Sequence, residues 1–309
     1  MTILAQTPVI RTETRSLSDV IHEFLSAQDV RDSSRQLYER TINQFFNWLK
    51  DSNINPNEIT RVHIVQYKSA LFEKGLTSLT VGSYLTIVRK FFEWTESEKI
   101  YPNIAKGIKT PKRTQRFKKQ HLTIDSCMKL LDHYQSRRDF ALVNLMIRTG
   151  LRTIEVSRLN VSDITFKSNR RVLMIHGKGH DVKDDFVVLT DKAYDSIREY
   201  LKTRTISNDA PLFVSESNNN RGKRLTTKTI SSIVKKGLNA IGLDGKEFTA
   251  HSLRHTTAVN ILKAGGSLYN AQVTLRHTSP ATTQIYTESI KEEQRLNNPA
   301  EGLMDKILK

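Results

Sequence analysis

The stretch "HSLRHTTA", residues 251–258, holds two histidines and an arginine within five positions. On a helix, His251 and His255 stand at i and i+4, the spacing of half a metal site. His251 and Arg254 stand at i and i+3, the spacing of two hydrogen-bond donors aimed at one anion. Other residues able to do chemistry lie around this octet. Arg152 follows a glycine in "RTGLRTIEVSRL", with Glu155 three residues on. Lys178 sits between two glycines in "HGKGHDVKDDFVV", and glycines there let the backbone approach another backbone closely. His277 and Tyr286 bracket "HTSPATTQIY". Taken singly, each has an ordinary reading: a surface arginine, a polar turn lysine, an i,i+3 surface pair, a core tyrosine.

The bulk properties narrow the partner. The chain has 309 residues, room for two ordinary domains. With 38% apolar and 26% charged residues it has the composition of a globular, not a disordered, protein. No run approaches the roughly 18 apolar residues of a membrane helix. The first residues show no basic segment followed by an apolar one, so no secretory signal is read there. The single cysteine, Cys127, excludes an internal disulfide framework and suits a reducing compartment, so a cytoplasmic location is expected. Lys and Arg total 48 against 32 Asp and Glu, a formal +16. That excess points to a polyanion, with nucleic acid first and a membrane surface behind it.

The elements that must position these residues fall into two blocks. Apolar positions at helical spacing predict helices over 16–28, with Leu17, Val20, Ile21, Phe24 and Leu25 on one face, and over 33–51. Two more follow, one stopped by Gly75 and one ending before Pro102, giving a helical domain over 1–105. Residues 106–120 carry Lys106, Lys109, Lys112, Arg113, Arg116, Lys118 and Lys119 with no acid, and read as a basic linker able to lie along phosphates. The second block, 121–290, opens with a helix capped by Thr123 and another stopped by Gly150. Two β-rich runs, "RRVLMIHG" and "DFVVLT", then flank a polar turn, and helices dominate from Asp191. The loop "SESNNNRGKRLTTK" adds Arg221, Lys223 and Arg224 as further DNA-binding candidates. The expected fold is mainly α with a small antiparallel β-sheet.

In order, GLRxxE, a glycine-flanked lysine after a strand, HxxR, and a histidine with a tyrosine nine residues later resemble the tyrosine recombinases, the phage integrase family. The likeness covers nearly the whole chain. It implies an N-terminal helical, SAM-like core-binding domain and a C-terminal mixed α+β catalytic domain of the two-domain, Xer-like type. Tyr286 is then the nucleophile, attacking phosphorus to form a 3′-phosphotyrosine that conserves the bond for rejoining. Arg152 and Arg254 meet the charge of the phosphorane, because a guanidinium donates two parallel hydrogen bonds and keeps its proton. His251 and His277 add donors or move a proton. Lys178 is the general acid for the 5′ oxygen, with Lys183 its competitor, and Glu155 orients Arg152.

The same likeness implies no cofactor, neither ATP nor a metal. A zinc reading of "HSLRH" lacks the glutamate of HExxH and puts a cation inside the pair. The partner implied is duplex DNA carrying a specific core site. The active species is a homotetramer on two synapsed sites, weakly associating or monomeric without DNA, with room for an accessory DNA-bending protein or a second recombinase. No membrane is involved. The tail, 291–309, with Leu303, Met304, Ile307 and Leu308, would dock on a neighbouring protomer. One departure concerns Arg276, which stands in "LRH" where the family usually has glycine; either the backbone differs there or the side chain reaches DNA. The competing readings are a non-catalytic DNA-binding protein of the same fold, a type IB topoisomerase-like relaxing enzyme and a metal-dependent nuclease.

Overall fold

The computed structural model describes residues 15–112, 120–176, 182–297, 299, 301–302 and 307–308. Lys178 and the linker residues Arg113, Arg116, Lys118 and Lys119 lie outside the described residues, as do Leu303 and Met304 of the tail. The chain divides into two compact units, Met1–Arg116 and Phe117–Lys309.

The first unit holds α1 (Leu17–Ala27), α2 (Asp32–Asp51), α3 (Arg61–Glu73) and α4 (Ser78–Ser97). Ser16 caps α1 by accepting from the Asp19 amide, and Asp19 accepts in return from the Ser16 amide. The apolar stripes expected of these helices meet in one core rich in aromatic rings. Phe24 and Phe91 pack edge to face with centroids 5.2 Å apart, and Phe45 meets Tyr67 at 4.9 Å. Ile108 is buried in this same core. Arg61 donates to the carbonyls of Lys106 and Gly107, and Lys68 to that of Lys109. The opening of the segment read as linker is therefore fastened to the first unit, with the side chains of Lys106, Lys109 and Lys112 exposed.

The second unit contains α5 (Ile124–His133), α6 (Arg137–Thr149), the short α7 (Thr153–Ser157) and three strands. The strands β1 (Ile164–Lys167), β2 (Arg170–Ile175) and β3 (Asp185–Val188) form an antiparallel meander, with Thr165 opposite Val172 and Val172 opposite Val188. The sequence pattern supplied β2 and β3 but not β1. Three of the four β1 residues are exposed, so it has no buried alternation to read. Helices α8 (Asp191–Leu201), α9 (Thr227–Ala240), α10 (Ala250–Lys263), α11 (Leu268–Leu275) and α12 (Ala281–Asn297) complete the unit. α12 carries Tyr286 and runs past residue 290 into the segment read as tail. Among the described residues, no helix is long and apolar enough to cross a membrane.

α10 is the element that organises the site, and polar side chains anchor it. Thr257 donates to the Ile147 carbonyl of α6, and Thr256 accepts from the Leu122 amide. Arg254 donates to the carbonyl of Gly150. Gly150 ends α6 at φ +63°, and a Cβ there would lie 2.5 Å from the Leu275 side chain, so both its dihedral and its surroundings call for glycine.

Candidate active site

Arg152, His251 and Arg254 line one cavity of about 600 Å³, together with Lys235, Thr249 and Ala250. The N-terminus of α10 opens into it. That end of a helix carries unpaired amides and a partial positive charge, which suits an anion. Lys235 gives its ammonium to the carbonyls of Asp244, Gly245 and Phe248, which fixes the loop leading into α10. His251 lies in the first turn of α10 and is exposed, while Arg254, one turn on, is 1% exposed.

Arg254 is held from both sides. Nη1 donates to the Gly150 carbonyl at 2.6 Å, and Nη2 donates to the Leu275 carbonyl. The guanidinium therefore spans the ends of α6 and α11, and burial pushes its pKa down, to about 9. Arg152 is the N-cap residue of α7 and half-buried. Its Nη1 donates to Glu155 Oε1 at 2.7 Å, and its amide donates to Oε2 at 2.7 Å. The Arg152–Glu155 pairing expected from the motif is thus present, and it is bonded through the backbone as well as the side chain. Burial opposes the Glu155 charge, but the surrounding arginines outweigh it and hold the carboxyl below its ordinary range.

Tyr286 is 4% exposed, with Ala258, Val259 and Leu275 around it. Its ring lies 4.8 Å from that of His255 and stacks on His277 at 6.0 Å, centroid to centroid. Burial raises the phenol pKa, and the charges of Arg254 and Arg152 pull it back. His277 Nδ1 sits 2.9 Å from the buried Thr283 hydroxyl. Burial, followed by the positive charges of Arg254, Arg152 and Arg276, lowers the His277 pKa to about 4. The imidazole is neutral at pH 7 and can accept a proton.

The two histidines of the octet part company. His251 lines the cavity, whereas His255 is 1% exposed against Tyr286 and His121, and burial lowers its pKa to about 3. The i,i+3 pair faces the cavity and the i,i+4 partner supports the tyrosine from inside. Among the described residues, no group of three or more His, Cys, Asp or Glu could hold a metal ion.

Three of the expected positions come out differently. Of the two alternatives for Arg276, the backbone does differ, φ 55°, and the side chain points inward. Its guanidinium, 8% exposed, donates to Glu155 Oε2 at 2.7 Å. Arg224 gives its guanidinium to the carbonyls of Ser157 and Leu159 and to Asn160 Oδ1, so it fastens its loop to the body of the unit. Arg221 and Lys223 are exposed. Lys183, the rival general acid, donates to both oxygens of buried Asp163, at 2.5 and 2.6 Å. Sequence reading did not find Asp163, Thr283 or Lys235. Asp163 and Lys235 act on groups well separated in sequence, and Thr283 is one of several threonines near Tyr286.

The phage integrase family matches residues 120–293, more than half of the chain. The chain belongs to the phage integrase family. The N-terminal SAM-like domain of phage integrases matches residues 17–101, within the first unit. The chain is 32% identical over 275 residues to tyrosine recombinase XerC of Thermodesulfovibrio yellowstonii, covering 83% of this chain and 86% of that protein. It is 27% identical to tyrosine recombinase XerA of Pyrococcus horikoshii, covering 88% of this chain and 89% of that one. In fold it resembles XerH bound to a palindromic difH substrate after cleavage (TM-score 0.71, 22% identity, 91% of this chain and 84% of that chain). It also resembles the lambda integrase dimer bound to a COC′ core site (TM-score 0.67, 16% identity, 88% and 95%). The expected architecture, helical SAM-like domain plus mixed catalytic domain, is the one observed.

Proposed function

We propose that this tyrosine recombinase cuts and rejoins duplex DNA at a specific core site, with Tyr286 as nucleophile. The observation carrying this reading is that Tyr286 stacks on His277 and feels the charges of Arg254 and Arg152, the two arginines that also line the cavity. The tyrosine Oη attacks phosphorus and gives up its proton, and neutral His277, stacked on the ring, is the acceptor in this reading. The bond from phosphorus to the 5′ oxygen breaks, and that oxygen takes a proton from a general acid. Rejoining reverses each transfer, so no cofactor enters. Arg152, Arg254 and the N-terminus of α10 are preorganised donors for the phosphorane oxygens, in a site where such donors contribute most. Lys178 is the acid in this reading. The capture of Lys183 by Asp163 supports it, because that ammonium is committed to a buried carboxylate.

Four protomers would hold two sites, exchange one pair of strands, pass through a Holliday junction and exchange the other, as integration, excision or dimer resolution requires. The tail would link neighbouring protomers, and without DNA the chain would be monomeric or weakly associated. Lys106, Lys109, Lys112, Arg221 and Lys223 would meet phosphates and give a steep salt dependence.

Covalent trapping tests this. Nicked duplexes with a randomised core are incubated with the protein, and denaturation-resistant adducts are recovered and sequenced to define the site. Wild type is expected to yield adducts converging on one sequence. Tyr286→Phe should bind the selected duplex and yield none; an adduct from that variant would remove Tyr286 from its role.

A further inference from the structure

Arg276 is a costly residue where it stands. It occupies the left-handed region at φ 55°, ψ 49°, which L side chains rarely adopt, and it buries a guanidinium beside two others. Its contacts account for both. Nη2 donates to Glu155 Oε2, Nη1 donates to the Thr274 carbonyl, and Nε lies 3.8 Å from Asp185 Oδ2 at the start of β3. Glu155 thereby accepts from two arginines, the Arg152 guanidinium on Oε1 and, beside the Arg152 amide, the Arg276 guanidinium on Oε2.

The balance of charge shows what this arrangement does. A lone Glu155 beside Arg152 would form a neutral pair. Its second oxygen, filled then by the Arg152 amide alone, would compete for the rest of the Arg152 fork and draw it off a phosphate. With Arg276 on that oxygen, one carboxylate serves two cations. Arg152 then keeps net positive character and a free edge toward the cavity. The left-handed turn at residue 276 delivers the guanidinium, since it directs the side chain back toward α7 while Leu275 still offers its carbonyl to Arg254.

We propose that Arg276 is a positioning residue for Arg152: it occupies the second oxygen of Glu155, so that the carboxylate orients Arg152 without neutralising it. The inference rests on the recombinase reading above. It goes beyond the motif residues, because Arg276 lines no part of the cavity.

The test compares Arg276→Met, Arg276→Gly and Arg276→Lys by single-turnover adduct formation on a nicked duplex bearing the site selected by wild type, with equilibrium binding to the same duplex alongside. Met and Gly are expected to lose at least tenfold in rate, with DNA affinity within about twofold of wild type. Lys should recover part of the loss. Met keeps the strained backbone and Gly relieves it, so equal losses in the two assign the effect to the guanidinium; recovery in Gly alone would assign it to the backbone and overturn the proposal. Adding Glu155→Gln to Arg276→Met removes the competing charge, and the pair should be no slower than Arg276→Met alone. Losses that multiply would also overturn it. A crystal structure of the Arg276→Met protein tests the same role without relying on activity. Arg152 is expected to have turned its fork onto both oxygens of Glu155, and an unmoved Arg152 sinks the proposal. If wild type forms no adduct, the recombinase reading fails while the crystal structure still decides the role of Arg276.

Discussion

Among the described residues, the first unit buries Thr41 and Thr95 as its polar side chains, whereas the second buries Arg138, Glu155, Asp163, Arg254 and His255 along with several hydroxyls. The two units are held by different physics. The first is a set of helices closed over stacked and edge-on aromatic rings, where nearly all the driving force is removal of apolar surface from water. The second has an apolar core too, under its sheet, but α10 runs through it as a polar rod whose hydroxyls and guanidinium satisfy chain ends. Buried charges are expensive unless paired, so they are kept where they are needed. Here Arg254 lines the cavity, and His255 packs on Tyr286. The difference separates what a fold needs for stability from what a phosphate site needs for preorganisation.

The sharpest way to break this contrast is Arg254→Lys. A lysine keeps the charge but cannot donate to the ends of α6 and α11 and to a phosphate at once. Adduct formation is expected to fall roughly 10⁴-fold, about 5 kcal/mol of transition-state stabilisation. Single-turnover cleavage measures it, and a loss below tenfold would make Arg254 a structural residue only. Phe45→Ala probes the other side. It opens a cavity beside Tyr67 and Phe92 and should cost about 3–5 kcal/mol of stability. Both tryptophans, Trp48 and Trp94, lie in the first unit, so their fluorescence during urea unfolding reports it selectively. Phe45→Ala should move that transition and Arg254→Lys should leave it in place. If both move it equally, the two units do not store their stability separately.

Legibility in the sequence follows the same division. The helices of the first unit were readable because their signal is local: apolar residues recur every three or four positions and caps sit at the ends. α10, by contrast, has no apolar stripe, and nothing in "AHSLRHTTAVNILK" says that its threonines and arginine point inward. Its partners, Ile147, Gly150 and Leu122, are more than a hundred residues away. The candidate site residues were chosen by their order and spacing, and Arg152, His251 and Arg254 among them line one cavity. Their supports were not legible in the sequence. Arg276 stood out as a departure, yet its target Glu155 lies 121 residues away, and nothing near Lys183 in the sequence points to its partner Asp163, 20 residues back.

Acid sharpens the comparison next. His255 and His277 have their folded pKa values depressed, to about 3 and about 4, from 6.5. Each contributes stability that is complete above pH 6.5 and is lost as pH falls toward the folded value, because the unfolded chain takes up the proton first. His255, fully buried, should cost up to about 1.4 kcal/mol per pH unit within that window. His277 is half-exposed and contributes less. Amide exchange in α10 and α12, followed from about pH 7 to about pH 4.5, should show this loss, and His255→Gln should flatten it. An unchanged slope in that variant would mean the acid sensitivity lies elsewhere.

Thr283→Val is the smallest change and tests how finely the polar cluster is tuned. The hydroxyl is fully buried 2.9 Å from His277 Nδ1, and valine fills nearly the same volume without it. Packing around Tyr286 is therefore kept, while one nitrogen of His277 loses the group that fixes its tautomer and tilt. A neutral hydrogen bond of this kind is worth about 1 kcal/mol, so adduct formation should slow about fivefold. DNA affinity should be unaffected. The imidazole then lacks the partner that aims it at the tyrosine, while burial and the arginine charges still hold it neutral, and the acid-side limb of the rate profile reads whether the hydroxyl adds to that. A variant that slows the reaction with no change in that limb would confine Thr283 to holding the ring in place. A variant that matches wild type in both would show that stacking on Tyr286 alone orients His277, and that the second unit tolerates more slack in its polar core than the first does in its aromatic one.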